Sequence, residues 1–179
     1  YNQIAGGARA IRAAMEKPVI AKIQGFCMGG GLAVAMSADY RIASDDSQFG
    51  VPAAKLSIVY PLEAIRALQA LVGPGNAKKI LFTGYRYPAE EALSMGLIEE
   101  MTSADALDDV VRAHATTIAG NAPLSIAGTK ETIRELARDE ADRDLARVSK
   151  MAADAMDSED YAEGRRAFME KRKPVFRGQ

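Results

Sequence analysis

Residues 18–39 read Pro18-Val-Ile-Ala-Lys-Ile-Gln-Gly-Phe-Cys-Met-Gly-Gly-Gly-Leu-Ala-Val-Ala-Met-Ser-Ala-Asp39. In this stretch an apolar run leads into three consecutive glycines, and an alanine-rich segment follows them. Because glycine has no Cβ, such a turn leaves the backbone open to close approach by a ligand. The helix predicted after the glycines directs its first N–H groups, which have no partner within the helix, into the same space. The stretch predicts either a cradle for a negatively charged oxygen or, in the simpler alternative, a tightly packed strand–helix junction.

The residues around the glycines predict an alternation of strands and helices. In chain order the pattern favours an amphipathic helix over Ile4–Met15, a strand over Val19–Ile23, a glycine turn over Gly25–Gly31, a helix over Leu32–Ser37 and a strand over Tyr40–Ala43. Two strands joined through a helix predict a parallel pair with a right-handed crossover. This part of the chain is therefore typical of the α/β class.

The rest of the chain is predicted to be mainly helical. The spacing of apolar residues and of Gly and Pro predicts helices over Leu62–Val72, Asn76–Thr83, Pro88–Ser94, Asp105–Ala119, Pro123–Asp139, Asp142–Ala155 and Asp160–Lys171, with a short strand over Ile98–Met101. So few strands cannot bury every apolar face of these helices. We therefore expect a second subunit to cover part of them.

The composition excludes several classes of protein. Lys and Arg number 23 against 24 Asp and Glu, so no overall charge attracts nucleic acid or an anionic membrane. The single cysteine, Cys27, fits a reducing cytoplasm. With only one cysteine and one histidine, His114, a metal site of nitrogen and sulfur ligands is unexpected. No apolar run reaches the ~20 residues of a membrane span. The chain begins at Tyr1 without Met, and we expect the front of a longer protein to be absent.

Motifs along the chain resemble those of the crotonase superfamily, the enoyl-CoA hydratase/isomerase family. The matching segments are Lys17–Gly31, Ala38–Ala43, Phe49–Pro52, Leu71–Gly73, Ala77–Gly84, Ala89–Ile98 and Glu163–Pro174. Each is weak alone, but the ordered set covers essentially the whole chain. The resemblance implies a crotonase-like ββα spiral, with its C-terminal portion in residues 1–119 and a helical trimerisation region in residues 120–179. It also implies that the first strands of the spiral lie outside this sequence.

The resemblance further implies an acyl-CoA substrate and a homotrimer or a dimer of trimers. No cofactor is implied beyond the coenzyme A of the substrate. In this family two backbone N–H groups hold the thioester oxygen as it becomes an enolate. One of them corresponds to the N–H of Gly30. The other belongs to a loop that would lie upstream of Tyr1.

Two positions depart from the family pattern. The hydratases carry one glutamate two residues after the glycine triplet and another directly after the proline of the Phe-Gly-x-Pro element. This chain has Ala33 and Ala53 there, and alanine cannot transfer a proton. The nearest replacements are Tyr60 and Glu63, either of which we consider as the acid/base. The simpler alternative, which we favour, makes Tyr60 a pocket wall and Glu63 a charge at a helix N-terminus.

Further residues are assigned to substrate binding from the same resemblance. Around the glycine turn these are Phe26, Gly29, Gly31, Pro52 and Val59. For the nucleotide end of coenzyme A they are Phe168 and Lys171, which in this family reach a neighbouring subunit's ligand. Being three residues apart, the latter two are predicted to share one face of a helix. A solvated basic tail is the alternative, and it is our interpretation of Arg172 and Lys173.

The sequence thus favours an enzyme of acyl-CoA thioesters that stabilises a thioester enolate in a backbone oxyanion hole. Hydration or isomerisation of an enoyl-CoA is the expected activity, as a lyase or an isomerase of fatty-acid metabolism. Because both usual glutamates are missing, a second hypothesis stays open. It describes a crotonase-fold protein that binds CoA thioesters without hydratase turnover.

Overall fold

The computed structural model describes residues 17–179, so the helix predicted over Ile4–Met15 lies outside the described residues. The strands are β1 (Ile20–Ile23), β2 (Phe26–Met28), β3 (Tyr40–Ser44), β4 (Gln48–Gly50), β5 (Tyr87–Pro88) and β6 (Glu100–Thr102). The helices are α1 (Gly30–Ala35), α2 (Leu62–Thr83), α3 (Ala89–Ser94), α4 (Leu107–Ala119), α5 (Pro123–Leu136), α6 (Leu145–Met156) and α7 (Glu159–Glu170). Short 3-10 helices cover Pro52–Leu56, Ala104–Ala106 and Glu140–Asp142.

The described strands form two three-stranded sheets, ordered β1-β3-β6 and β2-β4-β5. The first is parallel throughout, and in the second β2 is parallel to β4 while β5 is antiparallel to it. Each of the strand pairs β1–β2 and β3–β4 places one strand in each sheet before the chain turns into a helix. This is a ββα repeat, and it confirms the parallel pairing predicted for β1 and β3.

The stretch predicted as a glycine turn contains a strand. Phe26–Met28 pairs in register with Gln48–Gly50, so the chain turns at Gly25 before this strand and at Gly29 after it, and α1 begins at Gly30, earlier than expected. The prediction was wrong here because the pairing partner lies 22 residues further along the chain, beyond the reach of a local pattern.

The predicted break between two helices is confirmed, although α2 runs on both sides of it. Gly73 has φ 74° and ψ 167°, which is not helical, and Pro74 follows at once. A positive φ favours glycine, and proline has no N–H to continue the helix. α2 therefore consists of two helical segments joined at this kink.

The chain divides into two compact units. One contains residues 19–113, and the other contains residues 114–179 together with residues 17 and 18. The division falls within α4, while the boundary drawn from the sequence after residue 119 falls at the end of that helix. The apolar core belongs to the first unit and includes Leu32, Phe49, Val51, Leu68, Ile80 and Leu97.

Candidate active site

The glycine turn is fixed at Gly29, which lies between the end of β2 and the start of α1. Its φ of 49° and ψ of −112° are a conformation that glycine adopts without the steric cost of a Cβ. The Gly29 N–H donates to the carbonyl of Gly50 at 2.8 Å, at the end of the paired strand β4. The Gly29 carbonyl accepts the N–H of Ala33 at 3.0 Å. Both polar groups of this residue are thus committed to the fold.

A third hydrogen bond reaches the same residue from a distant loop. The hydroxyl of Tyr60 donates to the Gly29 carbonyl at 2.8 Å, across 31 residues of sequence. Tyr60 is 3% exposed, and its ring belongs to the apolar core. The loop after the 3-10 helix is therefore anchored on the glycine turn.

The N–H of Gly30 belongs to the peptide unit whose carbonyl is that of Gly29. The described peptide bonds are all trans, so this N–H points opposite to the carbonyl and away from Tyr60. Gly30 itself is partly exposed. The first hydrogen bond within α1 is donated by Ala33, so the Gly30 N–H precedes any acceptor that the helix offers. The Gly30 N–H therefore has no acceptor within α1, and its role as an oxyanion donor stays a prediction.

Gly31, the residue after Gly30, has open space where a side chain would lie. Gly31 is exposed, and a Cβ built on it would meet nothing within 4 Å in the described part of the chain. Gly31, Phe26 and Val34 line a cavity of about 410 Å³. Phe26 is 70% exposed, with the guanidinium of Arg86 lying 5.2 Å from its ring centroid.

The two alanines that replace the family's glutamates lie on neighbouring elements. β2 and β4 are adjacent parallel strands, so α1 and the 3-10 helix at Pro52–Leu56 begin at the same edge of the sheet. Ala33 lies on the first and is partly exposed, and Ala53 lies on the second and is buried. Neither side chain holds a water or a proton.

The loop between the 3-10 helix and α2 presents apolar side chains to solvent. Val59 is 88% exposed and Leu62 is 76% exposed, while Pro52 at the start of the 3-10 helix is half-buried. Glu63 is exposed in the first turn of α2. The two acid/base candidates therefore lie in different environments, with Tyr60 buried in the core and Glu63 facing solvent.

Cys27 and His114 stay outside the candidate chemistry. Burial in β2 raises the pKa of the Cys27 thiol to about 11, which suits a core residue and disfavours a thiolate. His114 is half-buried in the second unit. Within residues 17–179 no group of three or more His, Cys, Asp or Glu side chains is placed to hold a metal ion.

The C-terminal residues require one correction. α7 ends at Glu170, and Lys171 follows it with a left-handed φ of 54°, so Phe168 and Lys171 do not share a helix face. Phe168 is 82% exposed at a cleft of about 490 Å³ that also involves Tyr161 and Arg165. Lys171 is exposed at the end of the helix.

Arg172 and Lys173 are exposed, as expected of a solvated tail, but Arg172 is also held by ion pairs that the sequence did not predict. Its guanidinium pairs with both carboxylate oxygens of Glu163, at 2.6 and 2.9 Å, and its Nε contacts Glu170 at 2.6 Å. Arg172 holds the pKa of Glu163 down at about 2, and the Val175 N–H adds to this by donating to the same carboxylate. The residues after α7 thus fold back along it.

The sequence model of the enoyl-CoA hydratase/isomerase family matches residues 8–179. The chain belongs to this family. Its fold is the crotonase-like spiral with a helical C-terminal part, as the resemblance implied. It superposes with a TM-score of 0.91 on the crystal structure of an enoyl-CoA hydratase/isomerase family protein from Hyphomonas neptunium, at 40% identity, over 99% of this chain and 67% of that one. An enoyl-CoA hydratase/carnithine racemase from Magnetospirillum magneticum gives a TM-score of 0.87 at 36% identity, over 96% of this chain and 63% of that one.

Curated relatives agree on the family. Carnitinyl-CoA dehydratase of Citrobacter koseri and (E)-benzylidenesuccinyl-CoA hydratase of Thauera aromatica are each 38% identical, over 92% of this chain and 64% of their own length. The family member described here spans a little under two thirds of the length of these relatives.

The Tyr60–Gly29 contact was missed by sequence reasoning, which considered Tyr60 only as an acid/base or a pocket wall. The local sequence around a loop tyrosine cannot predict that its hydroxyl donates to a carbonyl 31 residues earlier. The sequence gives only a weak signal for the Glu163–Arg172 pair. The two opposite charges are nine residues apart, with Glu163 inside α7 and Arg172 beyond its end. Only a chain reversal brings them together.

Proposed function

We propose that this chain forms the thioester site of an enzyme acting on acyl-CoA, in which the Gly30 N–H stabilises a developing enolate oxygen. Hydration or isomerisation of an enoyl-CoA is the reaction we assign. The observation that carries the proposal is the peptide between Gly29 and Gly30, whose carbonyl is held by Tyr60 and Ala33 while its N–H points the opposite way and has no acceptor within α1. A preformed donor of this kind typically contributes ~10²–10³ in rate to enolate or oxyanion chemistry. The names of the curated relatives, all acyl-CoA hydratases or dehydratases, support the substrate class.

We assign the proton transfer to Glu63. Its carboxylate is exposed in the first turn of α2, at the end of the apolar loop that carries Val59. Tyr60, the other candidate, already uses its hydroxyl proton in the bond to Gly29 and would have to break that bond to act as an acid. Glu63→Gln is expected to lower kcat about 10²-fold or more. Glu90→Gln, an exposed first-turn glutamate on α3, serves as its control and should leave kcat unchanged.

A second candidate function is supported by Ala33 and Ala53. With no carboxylate at either position, the site retains the groups that hold a thioester but not those that activate water in the hydratases. This alternative describes a protein that binds CoA thioesters without hydratase turnover.

The remaining assignments are also proposals. Phe168 and Lys171 are assigned to the nucleotide end of coenzyme A. Arg165, which lies with Phe168 at the cleft, is proposed as a further cation there. A homotrimer or dimer of trimers is proposed because α5, α6 and α7 expose apolar residues such as Ile133, Leu145 and Met169.

No helix in residues 17–179 is both long and apolar enough to cross a bilayer. We assign the protein to the cytoplasm and expect no cofactor other than substrate coenzyme A.

The test supplies the full-length protein with crotonyl-CoA and with longer, branched and aromatic enoyl-CoA thioesters. Loss of the enoyl thioester absorbance supports turnover. Absence of turnover, together with calorimetric binding of butyryl-CoA, supports the second candidate. Absence of both contradicts the proposal altogether.

The role of bare backbone at the turn has its own test in Gly31→Ala. The added methyl meets no protein atom within 4 Å in the described chain, so the melting temperature should stay within a few degrees. Affinity for butyryl-CoA and kcat should both fall, because the methyl occupies space assigned to the ligand. Gly75→Ala, which also has open space, is the control and should change neither.

A further inference from the structure

The structure links Tyr60 to the proposed oxyanion donor through a single peptide unit. Its hydroxyl donates at 2.8 Å to the carbonyl of Gly29, and the N–H of that same peptide is the one on Gly30. A trans peptide is planar, so fixing the direction of the carbonyl fixes the direction of the N–H on its other side. Tyr60 therefore controls a donor that it does not touch.

The peptide needs such control because its glycines resist rotation less than other residues do. Gly29 and Gly30 lack side chains, so the torsions on both sides of their peptide are unusually free. Within α1 the Gly29 carbonyl accepts one bond, from Ala33 at 3.0 Å. The Tyr60 hydroxyl supplies the second and comes from a ring that is 3% exposed and packed in the core.

We propose that Tyr60 is a positioning residue, which aims the Gly30 N–H at the thioester oxygen and strengthens it as a donor. Donation to a carbonyl polarises the amide, and a polarised amide gives up its own hydrogen more readily to an acceptor, by ~10–30% per bond. The inference rests on the oxyanion role proposed for Gly30 and assigns it a supporting residue. It also gives Tyr60 a role that needs no ionisation of its hydroxyl.

The test compares Tyr60→Phe with Tyr87→Phe in the full-length protein. Both substitutions remove a hydroxyl and keep the ring. Tyr87 is 2% exposed, and its hydroxyl contacts Thr83 at 2.9 Å and donates to the Lys79 carbonyl at 3.3 Å, neither of which belongs to the glycine turn. The pair therefore separates loss of a buried tyrosine hydrogen bond from loss of the bond to Gly29.

The first measurement needs no turnover. The infrared band of the thioester carbonyl is recorded for carbonyl-labelled butyryl-CoA free and bound, since hydrogen bonding to this oxygen moves the band to lower wavenumber. We expect a downshift in the wild type and in Tyr87→Phe, and a smaller downshift in Tyr60→Phe. An undiminished downshift in Tyr60→Phe overturns the positioning role while leaving the oxyanion proposal intact. No downshift in the wild type overturns both.

The second measurement is kinetic. Tyr60→Phe should lower kcat about tenfold, less than the ~10²–10³ lost with a whole donor, with KM nearly unchanged. Its pH profile should keep both limbs at reduced height. A profile that loses one limb makes Tyr60 the acid or base and overturns the inference. Equal losses of kcat in Tyr60→Phe and Tyr87→Phe also overturn it, because they reduce the effect to general stability.

Discussion

The two units of the chain differ in the kind of residue that each one buries. In residues 19–113 the fully buried side chains are mainly apolar, and they include Leu32, Ile42, Phe49, Leu68, Ile80 and Leu97. In residues 114–179 the buried residues are Glu135, Asp160 and Ala167, two of which are carboxylates. The first unit therefore contains an apolar core, and the second does not.

Carboxylates organise the backbone of the second unit. Glu135 accepts the Asp144 N–H at 2.7 Å and pairs with Arg138 at 2.9 Å, which lowers the pKa of Glu135. Asp160 accepts the N–H groups of Arg177 and Gly178, at 2.7 and 2.8 Å. Each side chain fixes a turn or a tail by hydrogen bonds rather than by packing.

The two units differ in where their large apolar residues lie. The first unit buries many of its large apolar residues, although others such as Phe26 and Val59 are exposed. Residues 114–179 bury no apolar side chain larger than that of Ala167. The second leaves Ile133, Leu136, Met156 and Phe168 exposed, all more than half accessible. This distribution supports the proposed subunit contacts, since large exposed apolar patches commonly mark interfaces.

The largest effect is expected from the same substitution made in each unit. Phe49→Ala removes a ring that is 0% exposed, and it should lower the free energy of unfolding by ~3–5 kcal/mol. Phe168→Ala removes a ring that is 82% exposed and should cost within ~0.5 kcal/mol at low protein concentration. Urea unfolding of both variants measures the contrast, and equal losses would contradict it.

A smaller effect is expected where backbone contacts backbone. A Cβ on Gly50 would overlap the carbonyl oxygen of Tyr85, so Gly50→Ala should cost ~1–3 kcal/mol. It should also disturb the bond from the Gly29 N–H to the Gly50 carbonyl and lower kcat. Gly75→Ala meets no such contact and is the matched control in thermal unfolding. A fully stable Gly50→Ala would show that β4 shifts without loss.

A comparable or lower cost is expected from a carboxylate of the second unit. Asp160→Asn replaces an acceptor of two backbone N–H groups by an amide with one acceptor oxygen, which should cost ~1–3 kcal/mol. Asp154→Asn breaks an exposed pair with Lys150 and should cost at most ~0.5 kcal/mol. Limited proteolysis should detect release of residues 172–179 in the first variant alone. Equal cleavage of both variants would show that Asp160 does not hold residues 172–179 in place.

The smallest effect is a pH dependence of the same tail. Arg172 keeps the pKa of Glu163 at about 2 in the folded protein, below its ordinary value of 4.5. A depressed carboxylate pKa gives stability that is present above pH 4.5 and is lost as pH falls toward about 2. Hydrogen exchange of the Val175 amide should therefore distinguish Glu163→Gln from the wild type at pH 6, and the two should converge near pH 2.

Glu159→Gln is the control for this measurement, because Glu159 is exposed in the first turn of α7. A difference between wild type and Glu163→Gln that persists unchanged down to pH 2 would show that the charge of Glu163 is not what holds the tail.

The fold was largely predictable from the sequence where its causes are local. β1, β3 and the kink at Gly73 follow from apolar runs and from the conformations of Gly and Pro. The strand Phe26–Met28 was not predicted, because pairing with β4 creates it. The left-handed Lys171 was also missed, since a lysine gives no signal for a positive φ.

The candidate site was predictable only in part. The glycine triplet indicated the turn, and Gly30 lies there with no acceptor for its N–H within α1, although its chemical role stays a prediction. The partner that holds the turn could not be found, because Tyr60 and Gly29 meet only in three dimensions. The retention of Arg172 by Glu163 is non-local in the same sense.

Backbone and Tyr60, rather than the side chains at positions 33 and 53, hold the glycine turn in shape. The anchors are the Gly50 carbonyl, the Ala33 N–H and the Tyr60 hydroxyl. The residues at positions 33 and 53 can therefore change without loss of the bonds that hold the turn and the proposed donor at Gly30. The double substitution Ala33→Glu and Ala53→Glu would therefore add the two carboxylates of the family's hydratases without removing any group that holds the turn.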